Sequence, residues 1–216
     1  LKVGKVGSID YLEKIKEECL EFDEKFSNPL SESEREKNPV KMNQTLEGDV
    51  YYRNYPVWIS NEYNIYDNPL CTNIEMDYQR RRFPHAEEFP YINKFLTEFP
   101  GMVNARFTVC SGNLDGTSFH HTENLVVKQL DKLTLLCYFH LPIITNNNAY
   151  HTVDGKAYHL EEGNIYYFNQ GTVHTAHNLG NEKRIHLIAY SILTKDVMNM
   201  LQKVQPITPF KDVPLS

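Results

Sequence analysis

Across residues 102–192 the chain reads as a succession of short apolar strands broken by turn residues, and that pattern leaves few folds open. Residues 103–109 and 133–144 are strand-like, the second apolar enough to be central in a sheet. Residues 149–153 and 156–160 flank Asp154-Gly155, a pair suited to a two-residue hairpin turn. Residues 165–169 follow a turn at Gly163. Residues 173–178 and 184–192 flank Leu179-Gly180-Asn181, which predicts another hairpin. Many short antiparallel strands joined this way predict a jelly roll or related barrel, mainly β with flanking helices.

The helical signals lie outside that region. Residues 8–26 predict an amphipathic helix, with Ser8 as N-cap and Ile9, Leu12, Ile15 and Leu20 on its apolar face. Residues 90–99 predict a second helix, opened by Pro90 and stopped by Pro100-Gly101. Residues 194–204 predict a closing helix. Residues 27–48 are polar, and 49–70 are rich in Tyr and Asn with short strand signals. We expect one domain over 1–216: a helical or irregular elaboration at 1–101, a jelly-roll core at 102–192, and a C-terminal helix and tail at 193–216.

Composition narrows the function classes. Hydrophobic residues make up 41% and charged residues 23%, enough for a packed core. A formal net charge of −6 argues against nucleic-acid binding. The basic run Arg80-Arg81-Arg82 reads as a solvated surface patch. The four cysteines, Cys19, Cys71, Cys110 and Cys137, have no CxxC spacing, and a reducing, cytoplasmic setting is the expectation. No apolar stretch approaches the roughly 20 residues of a membrane span.

The chemistry-bearing residues form two groups. His121-Thr122-Glu123 places an imidazole and a carboxylate on one strand face, because alternate side chains point the same way. His174 follows an aromatic strand, and Arg184 opens an apolar one. Two imidazoles and one carboxylate on one face of iron(II) leave three positions open for cosubstrate and oxygen. A buried guanidinium needs an anionic partner, and a 2-oxoacid's distal carboxylate would supply it in a two-pronged pair. The plainer reading of Arg184 is an exposed strand start.

Nine histidines compete for attention. His85, His151, His159 and His177 read as surface or hydrogen-bonded residues. His120 faces away if His121 is the ligand. For His140 and His186, inside apolar strands, cavity lining and buried hydrogen bonding are equally open. Arg106 would pair with a substrate carboxylate or with the cosubstrate, against a plain structural role.

Several words then recur in a familiar order: Tyr138-Phe139-His140-Leu141-Pro142-Ile143-Ile144-Thr145-Asn146, Val153-Asp154-Gly155, Leu160-Glu161-Glu162-Gly163, Tyr167-Phe168-Asn169, His174, Asn178 and Arg184-Ile185-His186-Leu187. Over residues 103–192 the chain resembles the aspartyl/asparaginyl β-hydroxylase-like family of iron(II)/2-oxoglutarate oxygenases, and it is also similar to proline cis-3-hydroxylase. The resemblance implies a double-stranded β-helix, with His121 and His174 on Fe(II), Arg184 on the C5 carboxylate of 2-oxoglutarate and His140 beside the cosubstrate. Two departures stand out. Glu123 occupies a position where relatives carry aspartate or no carboxylate. Tyr138 replaces the arginine that peptidyl-Asp/Asn members carry two positions before the strand histidine.

The expected activity is O2-dependent hydroxylation of an unactivated C–H, with iron held by His121, Glu123 and His174. The substrate would be a free amino acid or small carboxylate, or an Asp/Asn-type side chain in a peptide. Glu123 argues against halogenation, because a halide would need the carboxylate's position. No nucleic-acid or membrane partner is expected. The competing readings are a cupin-like metalloprotein, since Gly163, Gly171, His174 and Asn178 match the spacing of a cupin motif, and a non-catalytic jelly-roll binding module.

Overall fold

A computed structural model describes residues 3–26, 43–47, 50–58, 74–75, 85–113, 126–129 and 132–213. Within these the helices are α1 (Leu12–Phe26), α2 (Pro90–Glu98) and α3 (Lys195–Gln202). The strands are β1 (Val3–Ser8), β2 (Asn43–Glu47), β3 (Val50–Trp58), β4 (Ile74–Glu75), β5 (Met102–Cys110), β6 (Val126–Gln129) and β7 (Lys132–Ile144). They continue as β8 (Ala149–Val153), β9 (Lys156–Tyr158), β10 (Asn164–Phe168), β11 (His174–Asn178), β12 (Arg184–Ile192), β13 (Gln205–Pro206) and β14 (Lys211–Asp212).

Two sheets face each other in a double-stranded β-helix. The larger runs β13-β1-β10-β7-β12-β5-β3-β2, with β6 also on β7 and β4 on β6. The smaller runs β11-β8-β9-β14. β12 is central and pairs antiparallel with both β5 and β7. Its nine residues are all buried, because both faces of the strand are covered.

The helices pack on the outer face of the larger sheet. Strand alternation sends Ala105, Phe107 and Val109 of β5, Phe139, Leu141 and Ile143 of β7, and Ile185, Leu187 and Ala189 of β12 to that side. They meet Ile15, Cys19 and Phe22 of α1 and Ile92, Phe95 and Leu96 of α2. Phe22 lies edge-on to Phe107, with ring centroids 5.3 Å apart.

Local chemistry explains several boundaries. Asp154 and Gly155 both have positive φ, 52° and 70°, which a two-residue turn between twisted strands requires. The helix expected over residues 8–26 with Ser8 as its cap begins instead at Leu12, and residues 3–8 form a strand. The edge of β10 recruits them, and at Gly4 the C-terminal tail crosses closely. A Cβ there would collide with Val204 Cγ1 and lie 2.9 Å from the Gln205 carbonyl oxygen.

The hairpin expected around Leu179-Gly180-Asn181 does not form. β11 pairs with β8 in the small sheet, whereas β12 enters the large one. Asn178, fully buried, holds this crossover. Its amide nitrogen donates to the carbonyls of Ser111 (2.8 Å) and Glu182 (2.7 Å), and its Oδ1 accepts from Asn146 (2.9 Å).

α2 carries its N-terminal cap on another helix. Phe89 at the N-cap makes no side-chain cap bond, and Pro90 has no N–H. Glu18 of α1 fills the gap. The Tyr91 N–H donates to both its carboxylate oxygens at 2.9 Å, and the Ile92 N–H to Oε2 at 2.7 Å. Burial raises the Glu18 pKa, and the two N–H donors work against that rise. Glu18→Ala should therefore cost about 1–2 kcal/mol in urea unfolding, and Glu18→Gln should recover part of it. An unchanged midpoint for the alanine variant would show that the cap contributes nothing.

Candidate active site

The inner faces of the two sheets enclose the polar residues. On β12 the residues alternate with the helix-facing set, so Arg184, His186 and Ile188 point inward. Cross-strand register sets their neighbours. Arg184 pairs with Cys110, His186 with Thr108 and Pro142, and Ile188 with Arg106 and His140. From the small sheet, His151 pairs with Ala176 and Val153 with His174. Arg106, His140, His151, Gln170, His174 and Arg184 line one cavity of about 30 Å³, together with Thr108 and His186.

Arg184 is only 2% exposed and His186 only 1%. The Arg184 Nη2 lies 2.9 and 3.0 Å from the two ring nitrogens of His151 and 3.2 Å from His186 Nδ1. Its Nη1 is 3.7 Å from Cys110 Sγ. A guanidinium only donates, so His186 Nδ1 accepts and the ring's proton sits on Nε2. That Nε2 is buried and has no hydrogen-bond partner among the described residues. The Gln170 amide nitrogen is 3.1 Å from His140 Nε2, which leaves the His140 proton on Nδ1. His140 Nδ1 is likewise buried without a partner among the described residues. Burial drives the pKa values of His140, His151 and His186 well below the usual range, and nearby guanidinium charge adds to the effect. Arg106 is the main charged contributor for His140, and Arg184 for the other two. The three rings are therefore neutral at physiological pH.

Ligand atoms of His140, His151 and His186 lie within 4.8 Å of one another, a spacing that can hold a metal ion. The guanidinium argues against a cation there. It already engages nitrogens of two of the rings, and a metal would sit beside a like charge. Two buried N–H donors and a guanidinium make this end of the cavity a cradle for an anion.

His174 stands on the opposite sheet. Its Nδ1 lies 2.8 Å from the Thr172 carbonyl oxygen, so Nδ1 carries the proton and Nε2 the lone pair. Metal-ligating histidines are commonly oriented in this way. The ring centroid is 5.8 Å from that of Phe168 on β10. His121 and Glu123, like His120 and the run Arg80-Arg81-Arg82, lie outside the described residues. Of the site residues singled out in the sequence, His140, His174, Arg184 and Arg106 line the same cavity.

His151 is the hydrogen-bonded core residue that the sequence reading allowed, and its bond is to the site. It meets Arg184 and sits 5.2 Å from the His140 ring, centroid to centroid. The pairing of β8 with β11 puts it on the same face as His174, and that register is a tertiary fact. The parity with Val153 was the one available signal. His159 and His177 are hydrogen-bonded elsewhere, to the Ala149 carbonyl and to Thr152.

Comparison with known proteins gives a family. No curated protein matches the chain. Among solved structures, AviO1 from Streptomyces viridochromogenes Tue57 is similar at 10% identity, covering 95% of this chain and 90% of that one, with a TM-score of 0.47. A 2OG-Fe(II) oxygenase family oxidoreductase from Burkholderia pseudomallei is similar at 8% identity, covering 71% and 74%, with a TM-score of 0.42. The viral collagen prolyl hydroxylase of Paramecium Bursaria Chlorella virus-1, in its 2OG complex, is similar at 10% identity, covering 90% and 97%, with a TM-score of 0.41. The assignment rests on the family model described as Aspartyl/Asparaginyl beta-hydroxylase, which matches residues 12–192. The chain belongs to the aspartyl/asparaginyl β-hydroxylase family and is a hydroxylase enzyme.

Proposed function

We propose that the protein is an iron(II)- and 2-oxoglutarate-dependent dioxygenase that hydroxylates an unactivated C–H of a free amino acid or small carboxylate, or of an Asp/Asn-type side chain in a peptide. The observation that carries this reading is the polarity of the cavity. A histidine poised to ligate stands on one sheet, and a buried guanidinium with inward N–H donors stands on the other.

His174, with His121 and Glu123, would hold the iron. The donor set suits it: the described member has its ring fixed by the Thr172 carbonyl and its lone pair on Nε2. Bound iron with 2-oxoglutarate and dioxygen supplies the oxidising chemistry that turns C–H into C–OH and releases succinate and carbon dioxide. Arg184 would bind the far carboxylate through its planar fork, held in place by His151 and His186. His186 Nε2–H and His140 Nδ1–H would donate to cosubstrate oxygens. Because these imidazoles are neutral, they orient the anion without competing for its charge.

The decisive assay is anaerobic loading with iron(II) and 2-oxoglutarate, then oxygen and an amino-acid and peptide panel scored for succinate. No succinate above background from any member would sink the proposal. His174→Ala should lose iron while keeping a native circular-dichroism spectrum; iron retained at wild-type affinity would overturn the ligand assignment. Arg184→Lys should raise KM for 2-oxoglutarate roughly 10- to 100-fold, since one charged, two-pronged bond is worth about 1.5–3 kcal/mol. An unchanged KM would place the cosubstrate elsewhere.

A further inference from the structure

The cavity has a second guanidinium that the cosubstrate reading leaves unused. Arg106 lies on the inner face of β5 and lines the cavity with His174 and Arg184. Register separates the two arginines. Arg184 is level with Cys110, and Arg106 is level with Ile188 and His140, four residues along the strands. At about 3.3 Å per residue this is roughly 13 Å of backbone.

Arg106 also lies against an aromatic pair. Its guanidinium carbon is 5.5 Å from the Tyr190 ring. Tyr190 is in register with Tyr138, which is in register with Phe168, the ring that faces His174. Tyr138 and Tyr190 meet edge to face at 4.8 Å and are both buried, so they back the guanidinium from behind the cavity wall. Arg184 is buried, whereas Arg106 is only partly so.

We propose that Arg106 binds the carboxylate of the substrate, so that the enzyme selects small molecules with a free carboxylate. This rests on the iron- and 2-oxoglutarate-dependent reading of the same site. The alternative source of a carboxylate is the metal-proximal end of 2-oxoglutarate, and the two are separable.

Wild-type, Arg106→Gln and Arg106→Lys proteins are loaded anaerobically with iron(II) and 2-oxoglutarate, and the cosubstrate Kd is measured from the visible absorption. Each complex is then titrated with free L-α-amino acids and with the corresponding amino-acid amides. No turnover occurs without oxygen, so the readout is binding alone. The expected result is unchanged 2-oxoglutarate affinity in all three. At least one free acid should bind the wild type about tenfold or more tightly than its amide. Arg106→Gln should abolish that preference, and Arg106→Lys should restore part of it. Acid and amide binding alike to wild type, no panel member binding, or a preference that survives in Arg106→Gln overturns the proposal. Loss of 2-oxoglutarate affinity in Arg106→Gln assigns the residue to the cosubstrate and overturns it too. A wild type that forms no iron–2-oxoglutarate complex overturns the cosubstrate reading and this one with it.

Discussion

Strand alternation in the larger sheet is the constraint from which core and site both follow. On β12, Ile185, Leu187 and Ala189 pack under the helices while Arg184, His186 and Ile188 face the cavity. On β7, Phe139 and Leu141 face one way and His140 the other. A one-residue slip would bring a guanidinium and two imidazoles against Phe22 and Leu96 and move the aliphatic set into the polar cavity. Register is therefore held by the hydrophobic layer, and the site inherits its precision from that layer. Asn178 guards the weakest point, the crossover where the chain leaves one sheet for the other.

The polar interior is arranged by charge state as much as by position. Burial keeps three imidazoles neutral, and Arg184 sits among them as a cation. Neutral rings can accept from the guanidinium on one edge and present a donor on the other. His186 does this with Nδ1 and Nε2. A protonated ring would repel Arg184 and lose the acceptor that holds it. The cavity thus favours an anion at one end without stacking several formal charges in a low-dielectric space.

Much of this was legible in the chain. The limits of β12 match the apolar run 184–192, and Asp154-Gly155 marked its hairpin. His174, His140 and Arg184 stood out because a histidine or arginine inside an aromatic or aliphatic strand calls for a chemical reason. Other features were not legible. The first strand was not read, because Val3 and Gly4 gain their meaning only from the edge of β10 and the returning tail. The cap of α2 is on Glu18, more than seventy positions upstream, so no local motif announces it. His151 looked ordinary because its parity matters only against β11.

The amino-acid sequence by itself determined the strand-and-turn periodicity, the central apolar strands and the residue types able to hold a metal and an anion. Those properties are local: side-chain chemistry, a period of two, and turn residues that tolerate positive φ. The tertiary structure alone decided which sheet each strand joins, that Arg184 is buried against His151 and His186, and that Arg106 lines the same cavity. Those are matters of cross-strand register and of contacts between distant segments. The free energy that selects them comes from packing the helices on one face of the sheet, and local pattern does not encode it.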